Sequence, residues 1–202
     1  MDSTIKLVDI IYLALFSFVL VALAFLYRCL PNKKLISSLW KSKREVNASE
    51  YDIFVHQLSH ALKWMSNNKV GALIVIEREQ NLQKYVLLGY EIKAKLTSEF
   101  LITIFSNKQS ALHDGGVIIR GYDIASISSY FPVTQTRLIT TFGARHRASA
   151  GLTENTDAIA FVVSETTGRV SYSSKGELHE MNSSDIDSLS DEISKILNFY
   201  VS

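Results

Sequence analysis

The 202-residue chain has one cysteine, two prolines and almost no net charge. Cys29 alone supports neither an intrachain disulfide nor a cysteine-rich zinc site, and no thiol lies beyond it, so the main domain has no thiol chemistry. Pro31 and Pro132 make no proline-rich tract, and neither an internal repeat nor a low-complexity segment is present. Lys and Arg number 21 against 20 Asp and Glu, a formal charge of +1. That balance leaves no global basic footprint for nucleic acid, so any polyanion site must be local. Ser149 and Ser164 lack the Gly-x-Ser-x-Gly context of a hydrolase nucleophile. His56 and His60 share a helix face at i and i+4, but no carboxylate lies between them as in HExxH, so they read as surface or packing histidines. What is present, 47% hydrophobic residues, suits one globular domain plus an appendage.

The appendage comes first. The uncharged run Ile10–Tyr27 is long enough, at ~1.5 Å per helical residue, to cross a bilayer's hydrocarbon core. Ala22-Leu23-Ala24 mimics a signal-peptide cleavage pattern, but it lies inside the run, and Asp2 and Asp9 spoil a basic leader, which favours a retained span. Arg28, Lys33, Lys34, Lys41, Lys43 and Arg44 follow the run while only Lys6 precedes it, so the positive-inside rule puts the rest in the cytoplasm. The expected organisation is a short extracytoplasmic N-terminus (1–9), a transmembrane helix (10–27), a basic juxtamembrane linker (28–50) and a cytoplasmic domain (51–202), single-pass in the cell membrane.

From Tyr51, Ile53, Phe54, Leu58, Ala61, Leu62 and Met65 recur at three- and four-residue spacing, which predicts an amphipathic helix. Val70–Glu77 and Ala158–Ser164 are continuous apolar runs and predict core strands. Tyr85–Leu88, Ala125–Tyr130 and Arg169–Tyr172 predict further strands, with Thr166-Thr167-Gly168-Arg169 as a hairpin turn. Ser98–Phe105 and Thr136–Ala150 predict helices, as does the segment after Ser183 and Ser184, which can cap it. The mixture is α/β, with a central mixed sheet flanked by helices.

Three stretches carry candidate chemistry. In Ala111–Arg120, Gly115 and Gly116 let the backbone turn and a ligand approach, while His113 and Asp114 offer a metal or proton partner. Arg145-His146-Arg147 sets two guanidiniums around an imidazole, a cluster costly to bury without an anion such as phosphate, and it is expected near the end of its helix. Ser164 and Glu165 end an apolar run with a hydroxyl and a carboxylate, as strand-end ligand sites do.

In this order and spacing, and with the segments Gly71–Arg78 and Ser129–Thr134, these stretches resemble the diadenylate cyclase (DAC) family over about Tyr51 to Asn182. The resemblance implies a single DAC-type domain of the membrane-bound, single-span kind. Such a domain condenses two ATP into cyclic di-AMP and two pyrophosphates at a face-to-face homodimer, with a divalent cation (Mn²⁺, Mg²⁺ or Co²⁺). It further implies that Asp114 orients and deprotonates the attacking hydroxyl and that Arg145 and Arg147 neutralise phosphate charge. Gly115, Gly116, Tyr130, Phe131, His146, Ser164 and Glu165 complete the ATP site, the two aromatics bordering the adenine, and His113 and Glu165 hold the metal. His146 either touches the ligand or braces its helix. The implied partners are ATP, a second copy, the membrane and an unidentified protein regulator, with no nucleic acid. Gly116, Ala144 and Thr166 depart from the alanine, threonine and second glutamate that relatives often carry. The alternative is a membrane-tethered ATP or cyclic-dinucleotide sensor without turnover, marked by Ala144 and Thr166; intact Asp114, Arg145, Arg147 and Glu165 argue against it.

Overall fold

The computed structural model describes residues 12–22, 48–135 and 142–198. The chain divides into two compact units, Met1–Val46 and Asn47–Ser202. In the first, residues 12–22 are helical, with Tyr12, Phe16 and Phe18 exposed. Among the described residues no helix is long and apolar enough to cross a membrane. The rest of the run Ile10–Tyr27, and the basic stretch up to residue 47, lie outside the described residues.

The second unit opens with α1 (Ala48–Asn67), followed by β1 (Ala72–Glu77), α2 (Gln83–Val86), β2 (Tyr90–Lys95), α3 (Ser98–Ser106) and a 3-10 turn, Ala111–His113. Then come β3 (Gly116–Arg120), β4 (Asp123–Ser129), α4 (Ala144–Thr153), β5 (Ile159–Val163), β6 (Val170–Ser174), β7 (Glu177–Glu180) and α5 (Ile186–Asn198). The seven strands form one sheet in the order β2-β4-β3-β1-β5-β6-β7. It is mixed, as expected: β1 and β3 run parallel and the other pairings are antiparallel.

The continuous apolar runs at β1, β3 and β5 follow from burial on both faces. Ala72, Ile74 and Ile76 point into a core shared with Leu58 and Leu62 of α1, Leu101 and Phe105 of α3, and Leu189 and Ile193 of α5. The alternate residues Leu73 and Val75 join a second core with Leu82, Tyr85, Val86 and Leu152. Each residue therefore contributes to a layer above or below the sheet by strand parity alone.

Three local expectations are corrected. Tyr85–Leu88 is not a strand: α2 crosses the second face with Tyr85 and Val86 buried, and Leu87 and Leu88 lie exposed after it. A four-residue apolar run fits a short covering helix as well as a strand. The last helix is capped by Asp185, whose Oδ1 accepts from the Ser188 amide at 2.8 Å, while Ser184 Oγ donates to Asp185. That helix takes α1 as its principal neighbour, with Leu189 and Ile193 in the core shared with β1. Of the segment expected to be helical from Thr136, the helix covers Ala144 onward and Phe142 and Gly143 lie outside it; residues 136–141 lie outside the described residues.

Candidate active site

Strand direction brings the three candidate stretches to one end of the sheet. β5 is antiparallel to β1 with Ala72 opposite Val163, and β3 runs parallel to β1 with Val117 opposite Ile74. The start of β1, the start of β3 and the end of β5 therefore coincide, so Gly71, His113 to Gly116, and Ser164 with Glu165 lie together. Two glycines make this junction possible. Gly115 holds φ +72°, a left-handed conformation that side chains disfavour, and a Cβ at Gly71 would lie 2.9 Å from Arg145 Nη1 and 3.0 Å from Glu165 Cβ.

Arg145 reaches this junction from α4. The Arg145-His146-Arg147 cluster begins the helix rather than ending it, which corrects the sequence expectation. The N-cap is Gly143, which offers no side-chain cap, so the first-turn amides and the positive end of the helix dipole reinforce the two guanidiniums. That arrangement suits an anion better than the expected one.

The side chains then form a chain of contacts. Arg145 Nη2 donates to the His113 carbonyl at 2.9 Å and lies 3.2 Å from His113 Nε2. His113 is buried, and its Nδ1 meets the Phe105 carbonyl, which can only accept. Nδ1 therefore carries the proton, and Nε2 presents a lone pair toward Arg145. Arg145 Nη1 lies 3.7 Å from Glu165 Oε2, a loose pair, and Lys108 Nζ donates to Glu165 Oε1. Arg145 Nε is buried with no hydrogen-bond partner. Burial pushes the Arg145 guanidinium down, opposed by the charges of Glu165 and Asp114. The Lys108 hydrogen bond, with the charges of Lys108 and Arg145, holds the Glu165 carboxyl below its usual range.

Asp114 follows the 3-10 turn with its side chain exposed, close enough for its charge to act on Arg145. Ser164 is half-buried and its Oγ accepts from the Thr167 amide at 3.2 Å. Tyr130 is exposed, and Phe131 is half-buried with its ring 5.7 Å from Tyr85. Arg147 is exposed on the first turn of α4, its carbonyl taken by the Thr134 amide. His146 is buried beside Phe142, with ring centroids 5.3 Å apart, and burial pushes its pKa down. With Ser164, Thr167 and Arg169 it lines a cleft of about 550 Å³.

The donor set fits a divalent cation. One imidazole lone pair and one carboxylate are N and O ligands that Mn²⁺, Mg²⁺ and Co²⁺ accept, with substrate oxygens left to complete the shell. Among the described residues no cluster of three or more His, Cys, Asp or Glu could hold a metal alone. His56 and His60 stack with ring centroids 6.3 Å apart and gain no third ligand. The residue that sequence reasoning missed is Lys108, which meets Glu165 across 57 positions. A single lysine in a polar loop carries no signal of such a contact.

Comparison with known proteins identifies the family of the domain. Residues 59–178 match the DAC family, described as DisA bacterial checkpoint controller nucleotide-binding. A protein of Mycoplasma pneumoniae named diadenylate cyclase is 44% identical over 157 residues, 78% of this chain and 76% of its own. One of the same name from Mycoplasma genitalium is 40% identical over 189 residues, 92% of each chain. The crystal structure of a double mutant of DacA from Staphylococcus aureus superposes with a TM-score of 0.65 at 33% identity, covering 70% of this chain and 93% of that one. With the matched region spanning both the sheet and the glycine, arginine and glutamate stretches gathered at its end, the chain belongs to the DAC family of diadenylate cyclase domains.

Proposed function

We propose that the chain condenses two ATP into cyclic di-AMP with release of two pyrophosphates. The 3′-oxygen of each nucleotide attacks the α-phosphorus of the other, and the bond from that phosphorus to the pyrophosphate oxygen breaks. The 3′-hydroxyl proton passes to a base, for which Asp114 stands exposed beside the glycine turn. The observation that carries the reading is Arg145: a guanidinium partly withdrawn from water, loosely paired, with Nε unpartnered, at the start of a helix whose N-cap has no side chain. Such a group lacks the anion that a triphosphate supplies, and in-line phosphoryl transfer depends mainly on positioning and charge neutralisation.

Arg147, on the same turn, is the second neutralising group, and Ser164 and His146 offer further hydrogen bonds from the cleft wall. Tyr130 and Phe131 supply an aromatic border for adenine, Tyr130 from the exposed side. A divalent cation would be held by His113 Nε2 and Glu165 and would supply positive charge at the triphosphate. One site binds one ATP, so the product requires two sites facing each other in an isologous homodimer. The run Ile10–Tyr27 with the basic residues behind it supports a membrane tether with the domain on the cytoplasmic side.

The test is to incubate the full chain, beside Asp114→Asn, with ATP and Mn²⁺, Mg²⁺ or Co²⁺ and to identify nucleotide products by mass. Cyclic di-AMP from the parent and none from the variant is the expected result. ATP bound without product under every metal, at concentrations where dimers form, would replace the cyclase with the nucleotide-sensor reading.

A further inference from the structure

Both proposed metal ligands are already engaged by cations of the chain itself. Arg145 Nη2 faces the lone pair of His113 Nε2, and Lys108 Nζ donates to Glu165 Oε1 while Arg145 Nη1 stands near Oε2. Each oxygen of the carboxylate thus has a positive partner. Lys108 is set there by its loop. Its amide donates to the Ser106 carbonyl at the end of α3, and Asn107 Oδ1 accepts from the Gln109 amide. Two positive groups against the Glu165 carboxylate weaken its attraction for a further divalent charge.

We propose that Lys108 is a stand-in cation that holds Glu165 in the nucleotide-free site, so that divalent metal enters together with the triphosphate and not before it. The inference rests on the metal site proposed above. Metal binding must displace the Lys108 ammonium from Oε1 and Arg145 from His113. The released cations then face phosphate oxygens, whose negative charge compensates for both the displaced groups and the metal. A metal ion arriving alone lacks that compensation. Lys108 therefore acts as a positioning residue: it couples metal affinity to nucleotide occupancy and sets the order of binding.

The contact is exposed on both sides, 58% for Lys108 and 45% for Glu165. An exposed ion pair contributes up to about 1 kcal/mol, equivalent to about fivefold in affinity. The experiment titrates Mn²⁺ into the full chain, reading free Mn²⁺ by electron paramagnetic resonance, without nucleotide and with 3′-deoxy-ATP, which lacks the attacking hydroxyl. The variants are Lys108→Met, Lys108→Arg and Glu165→Gln. Lys108→Met is expected to bind Mn²⁺ about two- to fivefold tighter without nucleotide, while Lys108→Arg stays with the parent. A gain of less than about twofold in Lys108→Met, or the same gain in Lys108→Arg, overturns the role of Lys108. Glu165→Gln is expected to lose the Mn²⁺ that the parent takes up in the presence of 3′-deoxy-ATP. Parent-like binding in Glu165→Gln would instead overturn the metal reading itself, a different failure from that of Lys108.

Discussion

The two ends of the central strands carry the same chemistry, an arginine and a glutamate, in opposite states. At the far end Glu77 and Arg120 stand directly opposite each other on β1 and β3. They form a fork, Nε to Oε1 at 2.6 Å and Nη2 to Oε2 at 2.9 Å. Arg120 also donates to Gln83 at 3.1 Å, and Glu77 Oε2 accepts from the Leu82 amide at 2.9 Å. The Glu77 hydrogen bond pushes the Arg120 guanidinium up, whereas burial pushes Arg145 down. At the near end the Arg145 pair is 3.7 Å apart and Nε has no partner. A bidentate, satisfied pair is part of the scaffold; a loose one leaves a cation open to a ligand, which is the role proposed for Arg145.

The largest expected effect is at Asp114. Asp114→Asn keeps the shape of the turn and removes the proposed base, and cyclic di-AMP formation is expected to fall by about 10²-fold or more, with thermal stability unchanged. Should product formation survive, the proton leaves by another route. Gly71→Ala comes next. Its new Cβ meets Arg145 and Glu165 from beneath, so about tenfold is expected from kcat/KM, with the Mn²⁺ requirement raised as well, in an assay against metal concentration. A matched small-residue change at the Glu77 end should leave kinetics alone, which sharpens the contrast between the two ends.

The smallest effect is a pH dependence of stability. His146 is buried and its pKa is pushed below the ordinary 6.5, so the folded protein takes up its proton less readily than the unfolded chain. Below pH 6.5 the unfolded state binds more protons, and stability falls as the pH drops through that value. His146→Gln is expected to flatten this slope between about pH 6.5 and 5 in chemical denaturation, measured against the parent. An unchanged slope would assign the acid sensitivity to another group.

Much of this contrast was legible in the sequence, and the reasons differ by region. β1 and β5 announced themselves as unbroken apolar runs because they are covered on both faces, and the glycine, arginine and glutamate stretches were legible as chemistry out of place in such a core. α2 was not, because a run as short as Tyr85–Leu88 has too few residues to distinguish periods of 2 and 3.6. The start of α4 was hidden because Gly143 caps it without a side chain. β7 follows a turn in which Lys175 and Gly176 both have positive φ, a Lys-Gly signal that could have been used. The engagement of His113 by Arg145, and of Glu165 by Lys108, joins residues 32 and 57 positions apart, a relation only the fold creates.

The most direct test of the contrast compares Arg145→Ala with Arg120→Ala in one set of preparations, measuring cyclic di-AMP formation and thermal unfolding for each. Arg145→Ala is expected to lose about 10²-fold or more in activity with little change in melting temperature. Arg120→Ala is expected to lose about 1–2 kcal/mol of stability, or about 3–6 °C, while its folded fraction stays fully active. An active Arg145→Ala, or an Arg120→Ala that folds normally but makes no product, would contradict the assignment of the loosely paired end to catalysis and the tightly paired end to support.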